Sequence, residues 1–317
     1  MNRAFIFPGQ GSQYIGMGKD FYETYPTAKK VFDDVDISMG FKLSDIIFNG
    51  NIEDLSITTN TQGAIMATSI AILNVLKEKT GKKIDQLCSL LAGHSLGEYS
   101  ALCASGAISL LDTTTLLKSR SQAMQASSPQ EKGGMAACIG VSYEELQNII
   151  LNTVKEGVCQ IANDNVSGQI VISGHLYNID LMVNILKELN YRAIKLNVSA
   201  AFHSSLMKNA EKIMINELNS TKFNQPKVPV VANVAVSCTD DVNQIKTNLV
   251  NQICGTVRWR ETIDYFASNG ITQLVEVGPG NVLSNLAKKS GHQFEIINIA
   301  TIDDMQNFID KNLQKAN

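Results

Sequence analysis

The sequence contains no hydrophobic run long enough to cross a membrane, which takes about 20 consecutive apolar residues. Its first apolar stretch, Ala4–Phe7, ends at Pro8 and is too short for the core of a signal peptide. Low-complexity tracts and internal repeats are also lacking. We therefore expect a soluble, cytoplasmic chain. With 317 residues and 44% hydrophobic content, it is long enough for one large domain or for a domain that carries an insertion.

The sequence also lacks an excess of charge and any paired cysteines. Its 27 basic and 30 acidic side chains are well mixed, whereas a nucleic-acid surface usually shows as a basic excess. We expect no nucleic-acid partner and no membrane partner. The six cysteines stand at positions 88, 103, 138, 159, 238 and 254, without a Cys-x-x-Cys pair. This spacing fits neither a zinc site nor a disulfide framework, so we expect free thiols in a reducing cytosol and no bound metal.

The stretch Leu90–Ser100 carries the strongest chemical signal in the chain. An apolar strand ending is followed by Gly93-His94-Ser95-Leu96-Gly97 and then by small apolar residues suited to a buried helix. Strand, tight turn and helix are the context that a Gly-x-Ser-x-Gly nucleophile elbow requires. Ser95 is therefore the candidate nucleophile, and Leu96 the first residue of a helix whose free N–H groups face a forming oxyanion. Glu98, in the first helical turn, is expected to interact favourably with the helix dipole.

A second glycine-rich loop follows the first predicted strand. Gly9-Gln10-Gly11 begins like a dinucleotide fingerprint, but Tyr14 stands where the third glycine belongs. An elbow serine takes its second oxyanion donor from a loop after another strand, which makes the backbone N–H of Gln10 a candidate. A simple turn is the alternative interpretation of the same residues.

The order of the predicted elements indicates two domains. Strands alternate with helices in the first and last parts of the chain, which favours a parallel sheet covered on both faces. The pattern over 133–198 is strand, helix, strand, strand, helix, strand, the ferredoxin-like order. We predict an α/β fold: an α/β-hydrolase-like core formed by residues 1–130 and 199–317, with a ferredoxin-like domain inserted at 131–198. The core prediction includes a loop at Thr58–Gln62 and a strand at Val228–Val236.

A serine hydroxyl needs a base, and only four histidines are available: His94, His175, His203 and His292. On an elbow, the side chain of His94 points away from Ser95. His203 alone lies in a loop that re-enters the large domain, and it follows the serine in the order that hydrolase-like sheets use. We predict His203 as the base. No acid presents itself as a third member, so a side-chain amide or a backbone carbonyl is left to fix the imidazole tautomer.

Together these segments resemble a known family. The matching segments are Phe7–Gln13, Gly93–Ala101, Arg120 with Met124, Phe202-His203 and Glu276–Gly280. They occur in the family's order across nearly the whole chain. The chain resembles the malonyl-CoA:acyl carrier protein transacylases of bacterial fatty acid synthesis and the acyltransferase domains of polyketide synthases.

The resemblance implies a ping-pong acyl transfer in which Ser95 carries the malonyl group as an ester. It implies that His203 acts as base and then as acid, and that the backbone N–H groups of Gln10 and Leu96 form the oxyanion hole. Gln252 occupies the place of the family's glutamine and is expected to orient His203 through its side-chain carbonyl. This glutamine would account for the missing acid.

The resemblance also assigns substrate-binding residues. A helical arginine is usually exposed, but the family uses the one at Arg120 to clamp the free carboxylate of malonate, a planar match that lysine does not reproduce. Phe202 resembles the pattern of malonyl-selecting domains. Asn163 and Asn165 fall where relatives carry asparagines near the cleft, although turn formation explains them equally well.

The implied substrates are malonyl-CoA and acyl carrier protein, with no cofactor, and we expect a monomer. The residue before the histidine leaves open a role in a polyketide pathway instead of fatty acid synthesis. An acyl-thioester hydrolase of the same fold is the alternative enzyme. A non-enzymatic interaction domain is a further alternative, which conflicts with the joint presence of Ser95, His203 and Arg120.

Overall fold

A computed structural model describes residues 2–127, 133–198 and 200–313. The strands are β1 Arg3–Phe7, β2 Leu90–Gly93, β3 Gly133–Ile139, β4 Cys159–Val166, β5 Gln169–His175, β6 Arg192–Lys195, β7 Val230–Val231, β8 Val257–Arg258, β9 Gln273–Val277 and β10 Glu295–Ile299. The helices are α1 Lys19–Thr24, α2 Pro26–Met39, α3 Leu43–Asn49, α4 Ile52–Ser56, α5 Thr58–Thr80, α6 Leu96–Ser105, α7 Leu110–Ser127, α8 Tyr143–Thr153, α9 Leu176–Glu188, α10 Lys208–Ser220, α11 Val242–Cys254, α12 Trp259–Ser268, α13 Val282–Lys288 and α14 Ile302–Asn312. Short 3₁₀ turns cover Ile84–Gln86 and Ser205–Met207.

The larger domain is built on a parallel sheet with strand order β10-β9-β1-β2-β7. β1 and β9 are almost wholly buried, as expected for strands covered by helices on both faces. Helix α5 is buried along most of its 23 residues and belongs to the main apolar core. The expected α/β architecture is confirmed. Within the described part of the chain, no helix has both the length and the apolar character that a membrane crossing demands.

The second sheet has the strand order β6-β3-β5-β4-β8. Its first four strands are antiparallel neighbours, with α8 and α9 as crossovers, which is the ferredoxin-like arrangement that the sequence predicts. The fifth strand, β8, comes from the large domain and pairs parallel to β4 through Asn163 and Val257. The small sheet is therefore extended by a strand from outside the insertion. The predicted boundaries at residues 130/131 and 199 lie outside the described residues.

Two local predictions differ from the structure, and two further elements were not predicted. The predicted loop at Thr58–Gln62 is the first turn of α5, where the polar residues Thr58, Thr61 and Gln62 are buried in the protein interior. The strand predicted at Val228–Val236 shortens to Val230–Val231, since the chain turns back immediately afterwards through a hydrogen bond from Val236 N to Ala232 O. The sequence interpretation assigned no element beyond Lys289, yet β10 and α14 lie there. A capping box at Thr301 and Asp304 marks the start of α14 and could have been found.

Candidate active site

Ser95 occupies a strained turn between β2 and α6. Its backbone has φ 53° and ψ −108°, a conformation that a non-glycine residue adopts at a cost of about 1–3 kcal/mol. A Cβ on Gly97 would lie 2.2 Å from the backbone oxygen of Phe7, so only glycine lets α6 pass this close to β1. The elbow predicted from the sequence is present, and it points the serine hydroxyl above the carboxyl edge of the sheet.

Backbone and side-chain hydrogen bonds hold the strained turn in place. The N–H of Ser95 donates to Asn233 Oδ1 at 2.8 Å, and Asn233 Nδ2 donates to Gly93 O at 2.8 Å. The carbonyl of Ser95 accepts from Gln252 Nε2 at 3.0 Å. The sequence interpretation missed Asn233, which carries no local signal because it reaches the elbow only through the pairing of β7 with β2.

His203 lies directly against the serine. Its Nε2 is 2.8 Å from Ser95 Oγ, and its Nδ1 is 2.8 Å from the backbone carbonyl of Gln252. Because that carbonyl only accepts, Nδ1 carries the proton and Nε2 presents its lone pair to the serine hydroxyl. Burial, and then the positive charge of Arg120, lowers the pKa of His203 to about 3. The imidazole is thus neutral at physiological pH and able to accept the serine proton.

The position of Gln252 corrects one expectation. The resemblance implies that its side-chain carbonyl orients His203, but the backbone carbonyl does so in the structure. The side-chain oxygen instead accepts from Arg120 Nη2 at 2.9 Å, and the side-chain nitrogen faces Glu98 and the elbow. Sequence inspection does not reveal this difference, because a backbone carbonyl is available at every residue.

Arg120 is buried with 1% of its surface exposed, on the face of α7 turned toward Ser95. Its Nη2 donates to Ser95 Oγ at 3.0 Å, and its Nη1 donates to Gln62 Oε1 at 2.8 Å. Its Nε is buried without a hydrogen-bond partner, and the guanidinium lies over the ring of Tyr99 at 5.5 Å. Burial lowers the pKa of this guanidinium. A buried cation held by neutral groups, with one donor unused, suits an anionic ligand.

A cavity of about 110 Å³ lies above the serine, between the large and small domains. The large domain lines it with Gln10, Gln62, His94, Ser95, Leu96, Arg120, Met124, Phe202 and His203, and the rest of the chain contributes Met135, Asn163, Leu196 and Val198. A larger cavity of about 530 Å³ shares Gln10, His94 and Asn163 with it and continues toward α13. The two cavities are therefore neighbours, and Ser95 lines the smaller one.

The two predicted oxyanion donors lie at the wall of this cavity. Leu96 begins α6, and Gln10 follows β1 on the neighbouring loop. Gly9 allows the loop to approach, because a Cβ there would lie 2.5 Å from His94 O. The backbone of Gln10 is thereby brought beside the elbow, as an oxyanion hole requires.

The two asparagines have different surroundings. Asn163 lines both cavities, whereas Asn165 lines only the larger one and contacts His94, with Oδ1 at 2.9 Å from the histidine Nε2. His94 also packs beside Trp259, at 5.6 Å between ring centroids. Its ring is directed to Asn165, and Ser95 is paired with His203, as expected from the elbow geometry.

The remaining titratable residues are not arranged as a metal site. Among the residues that the structure describes, no three His, Cys, Asp or Glu side chains are grouped as ligands for an ion.

The sequence predicts that Glu98 interacts favourably with the helix dipole, but in the structure its side chain also makes two hydrogen bonds. Its carboxylate accepts from Asn233 N at 3.0 Å and from Gln252 Nε2 at 2.7 Å. The acid is turned inward, toward these two donors from the turn after β7 and from α11.

Comparison with known proteins gives consistent matches. Residues 4–315 match the family described as "Acyl transferase domain". The malonyl CoA-acyl carrier protein transacylase of Bacillus subtilis is 42% identical over 299 residues, which cover 94% of this chain and 93% of that relative. The crystal structure of an acyl-carrier-protein-S-malonyltransferase from Bartonella henselae has a TM-score of 0.95 at 43% identity, covering 98% of this chain and 99% of that one.

A third match is a malonyl-transacylase solved in complex with its type II PKS acyl-carrier protein. It has a TM-score of 0.94 and 33% identity, and the alignment covers 98% of this chain and 100% of that one. The matches extend over both domains and include the segments that carry Ser95, Arg120 and His203. The chain therefore belongs to the acyl transferase domain family.

Proposed function

We propose that this chain transfers a malonyl group from malonyl-CoA to the phosphopantetheine thiol of acyl carrier protein, through a malonyl ester on Ser95. The observation that carries the proposal is the position of the serine hydroxyl, 2.8 Å from the Nε2 of His203 and 3.0 Å from the Nη2 of Arg120. A nucleophile, its base and a buried cation meet at one cavity. The named relatives support the same substrates.

The first half-reaction follows from this geometry. Ser95 Oγ attacks the thioester carbonyl while its proton passes to Nε2 of His203. The backbone N–H groups of Gln10 and Leu96 stabilise the negative charge on the carbonyl oxygen. When the carbon–sulfur bond breaks, the imidazolium returns its proton to the leaving thiolate. In the second half, His203 deprotonates the carrier thiol, the thiolate attacks the ester carbonyl, and the imidazolium returns the proton to Ser95 Oγ as the carbon–oxygen bond of the ester breaks.

Arg120 selects the dicarboxylic substrate in this scheme. The far carboxylate of malonate is planar, and the guanidinium offers it two parallel N–H donors when one carboxylate oxygen takes the place of Ser95 Oγ at Nη2 and the other accepts from the unpartnered Nε. The amides that accept from Arg120, those of Gln62 and Gln252, are neutral, so the malonate carboxylate is the acid that pairs with it directly, which favours malonyl over acyl groups without a second acid. Phe202 closes the same small cavity and favours an unbranched acyl group, by about 1–3 kcal/mol for one methyl group.

We assign the larger cavity to the pantetheine arm shared by coenzyme A and the carrier protein. Asn163 stands where the two cavities meet and is placed to bind the arm near the thioester, while Asn165 acts through His94. Covalent catalysis with an oxyanion hole needs no metal or redox cofactor for this reaction. We also propose a cytoplasmic location in fatty acid synthesis, in keeping with six free cysteines.

The test is a transfer assay with malonyl-CoA and holo acyl carrier protein, with Ser95→Ala as control. We expect malonyl-carrier protein to accumulate with the native chain and not with the variant. Reactions without carrier protein should consume malonyl-CoA only to the extent of one ester per chain. Continuous release of free malonate in the absence of carrier would instead identify a thioester hydrolase. Inertness toward malonyl-CoA would contradict both enzymatic functions.

A further inference from the structure

A buried acid next to the active site has no part in the reaction described above. Glu98 lies one turn of α6 after the elbow and is 2% exposed. Burial raises its pKa to about 7. Its Oε2 is the single oxygen that receives both Asn233 N and Gln252 Nε2, at 3.0 and 2.7 Å. A carboxyl group kept in the interior requires such partners, and these two connect it to the site.

The contact with Gln252 determines which way that side-chain amide faces. An amide has a donor end and an acceptor end, and the NH₂ of Gln252 lies near two oxygens, Glu98 Oε2 at 2.7 Å and Ser95 O at 3.0 Å. The amide oxygen is thereby turned to the opposite side, where it accepts from Arg120 Nη2 at 2.9 Å. A flipped amide would place its oxygen against the carboxyl oxygen and its N–H groups against the guanidinium.

The orientation of the Gln252 amide in turn affects the orientation of the Arg120 guanidinium. Arg120 is held by Gln62 at Nη1 and by Gln252 and Ser95 at Nη2. Without an acceptor from Gln252, Nη2 keeps only the serine oxygen, and the planar group loses one of the contacts that fix its orientation toward the small cavity above Ser95, here called the acyl cavity. The two parallel donors that a carboxylate needs would then no longer face it.

We propose that Glu98 is a positioning residue for substrate selection: by orienting the amide of Gln252, it presents an acceptor to Arg120 and keeps the guanidinium aimed at the acyl cavity. This inference rests on the carboxylate-binding role of Arg120 in the proposed function. The role requires an acceptor oxygen and not a negative charge, because both donors reach the same oxygen. A glutamine at this position can supply that oxygen.

The test compares kcat/KM for malonyl-CoA and acetyl-CoA in Glu98→Leu, Glu98→Gln and the native chain. We expect Glu98→Leu to lower the malonyl-to-acetyl ratio about tenfold, and Glu98→Gln to keep it within about twofold. Glu276→Leu is the matched control. Glu276 is also a fully buried acid with two backbone donors, Leu283 N and Ser284 N, but it lies outside the acyl cavity, so its loss should leave the ratio unchanged.

Equal losses for both donors in Glu98→Leu would show a merely structural acid and overturn the inference. A ratio in Glu98→Gln as low as in Glu98→Leu would overturn the acceptor role. If Glu98→Leu does not fold, Gln252→Met replaces it, because that variant removes the amide but keeps the backbone carbonyl, and it should lower the ratio similarly. Arg120→Ala in the same assay separates the two proposals: an unchanged ratio there refutes the carboxylate clamp, whereas a change there without one in Glu98→Leu refutes only the role of Glu98.

Discussion

Replacing Arg120 by alanine should lower the transfer of malonyl groups much more than the transfer of acetyl groups. The side chain is 1% exposed, and it supplies the only positive charge among the residues that line the small cavity in the described part of the chain, since His203 is neutral. Malonate would bind it through two charge-assisted hydrogen bonds in a buried site. Acetate, which has no second carboxylate, makes neither bond.

The expected size follows from those two bonds. Each charge-assisted hydrogen bond contributes about 1.5–3 kcal/mol, and removing one partner of a buried ion pair costs about 3–5 kcal/mol. A tenfold change in kcat/KM corresponds to about 1.4 kcal/mol, so Arg120→Ala should lower kcat/KM for malonyl-CoA by about 10²–10³ relative to acetyl-CoA. Arg120→Lys keeps the charge but not the paired donors and should lie between alanine and the native chain.

The assay is a comparison of kcat/KM for the two donors with the same carrier protein. The ratio is the informative quantity, because Arg120 Nη2 also donates to Ser95 Oγ and its removal affects the nucleophile for every donor. Equal falls for malonyl-CoA and acetyl-CoA would refute the reasoning. A lysine variant as selective as the native chain would refute the need for a planar donor pair.

Three further outcomes are expected. With acetyl-CoA, kcat/KM should stay flat through neutral pH because the pKa of His203 is about 3. Arg120→Ala removes a positive neighbour of His203 and should raise this pKa, so the fall of kcat/KM in acid should move to higher pH. A shift to lower pH would contradict this. Burial raises the pKa of Glu98 to about 7, so its stabilising contribution is complete below its unfolded pKa and is lost as pH rises through 7. Urea titrations at increasing pH should show the free energy of unfolding of the native chain falling relative to that of Glu98→Gln, by up to about 3 kcal/mol. A rise in this difference with pH would contradict the argument. Gly97→Ala should lower the free energy of unfolding by more than about 3 kcal/mol, because the added Cβ meets a backbone oxygen. In Gly63→Ala the added Cβ meets only the ends of side chains, so the free energy of unfolding should change by less than about 1 kcal/mol. Equal effects of the two variants would disprove the close-packing argument.

The parts of the site that the sequence predicts are those encoded locally. The elbow around Ser95 depends on residues adjacent in the chain, so its glycine spacing and its flanking strand and helix are visible without coordinates. His203 was found by its order in the chain and its place after the insertion. The ferredoxin-like domain was predicted because its elements follow one another without interruption.

The parts that escaped prediction depend on contacts between distant segments. Asn233 reaches the site from the turn after β7 and Gln62 from α5, and neither belongs to a pattern of its own. Thr58–Gln62 resembled a loop because it is polar, yet Thr58, Thr61 and Gln62 are buried, and periodicity cannot distinguish buried polar side chains from exposed ones. The contact between Gln252 and His203 uses a backbone carbonyl, a group with no signature in the sequence.

The central claim is that one hydroxyl, made nucleophilic by one neutral imidazole, carries the acyl group between two thiols. Mass spectrometry of the intact protein after mixing with malonyl-CoA, in the absence of carrier protein, tests it most directly. The account predicts that the native chain gains the mass of one malonyl group, that carrier protein removes it, and that Ser95→Ala gains nothing. A native chain that stays unmodified, or a Ser95→Ala variant that acquires the same mass, would contradict it.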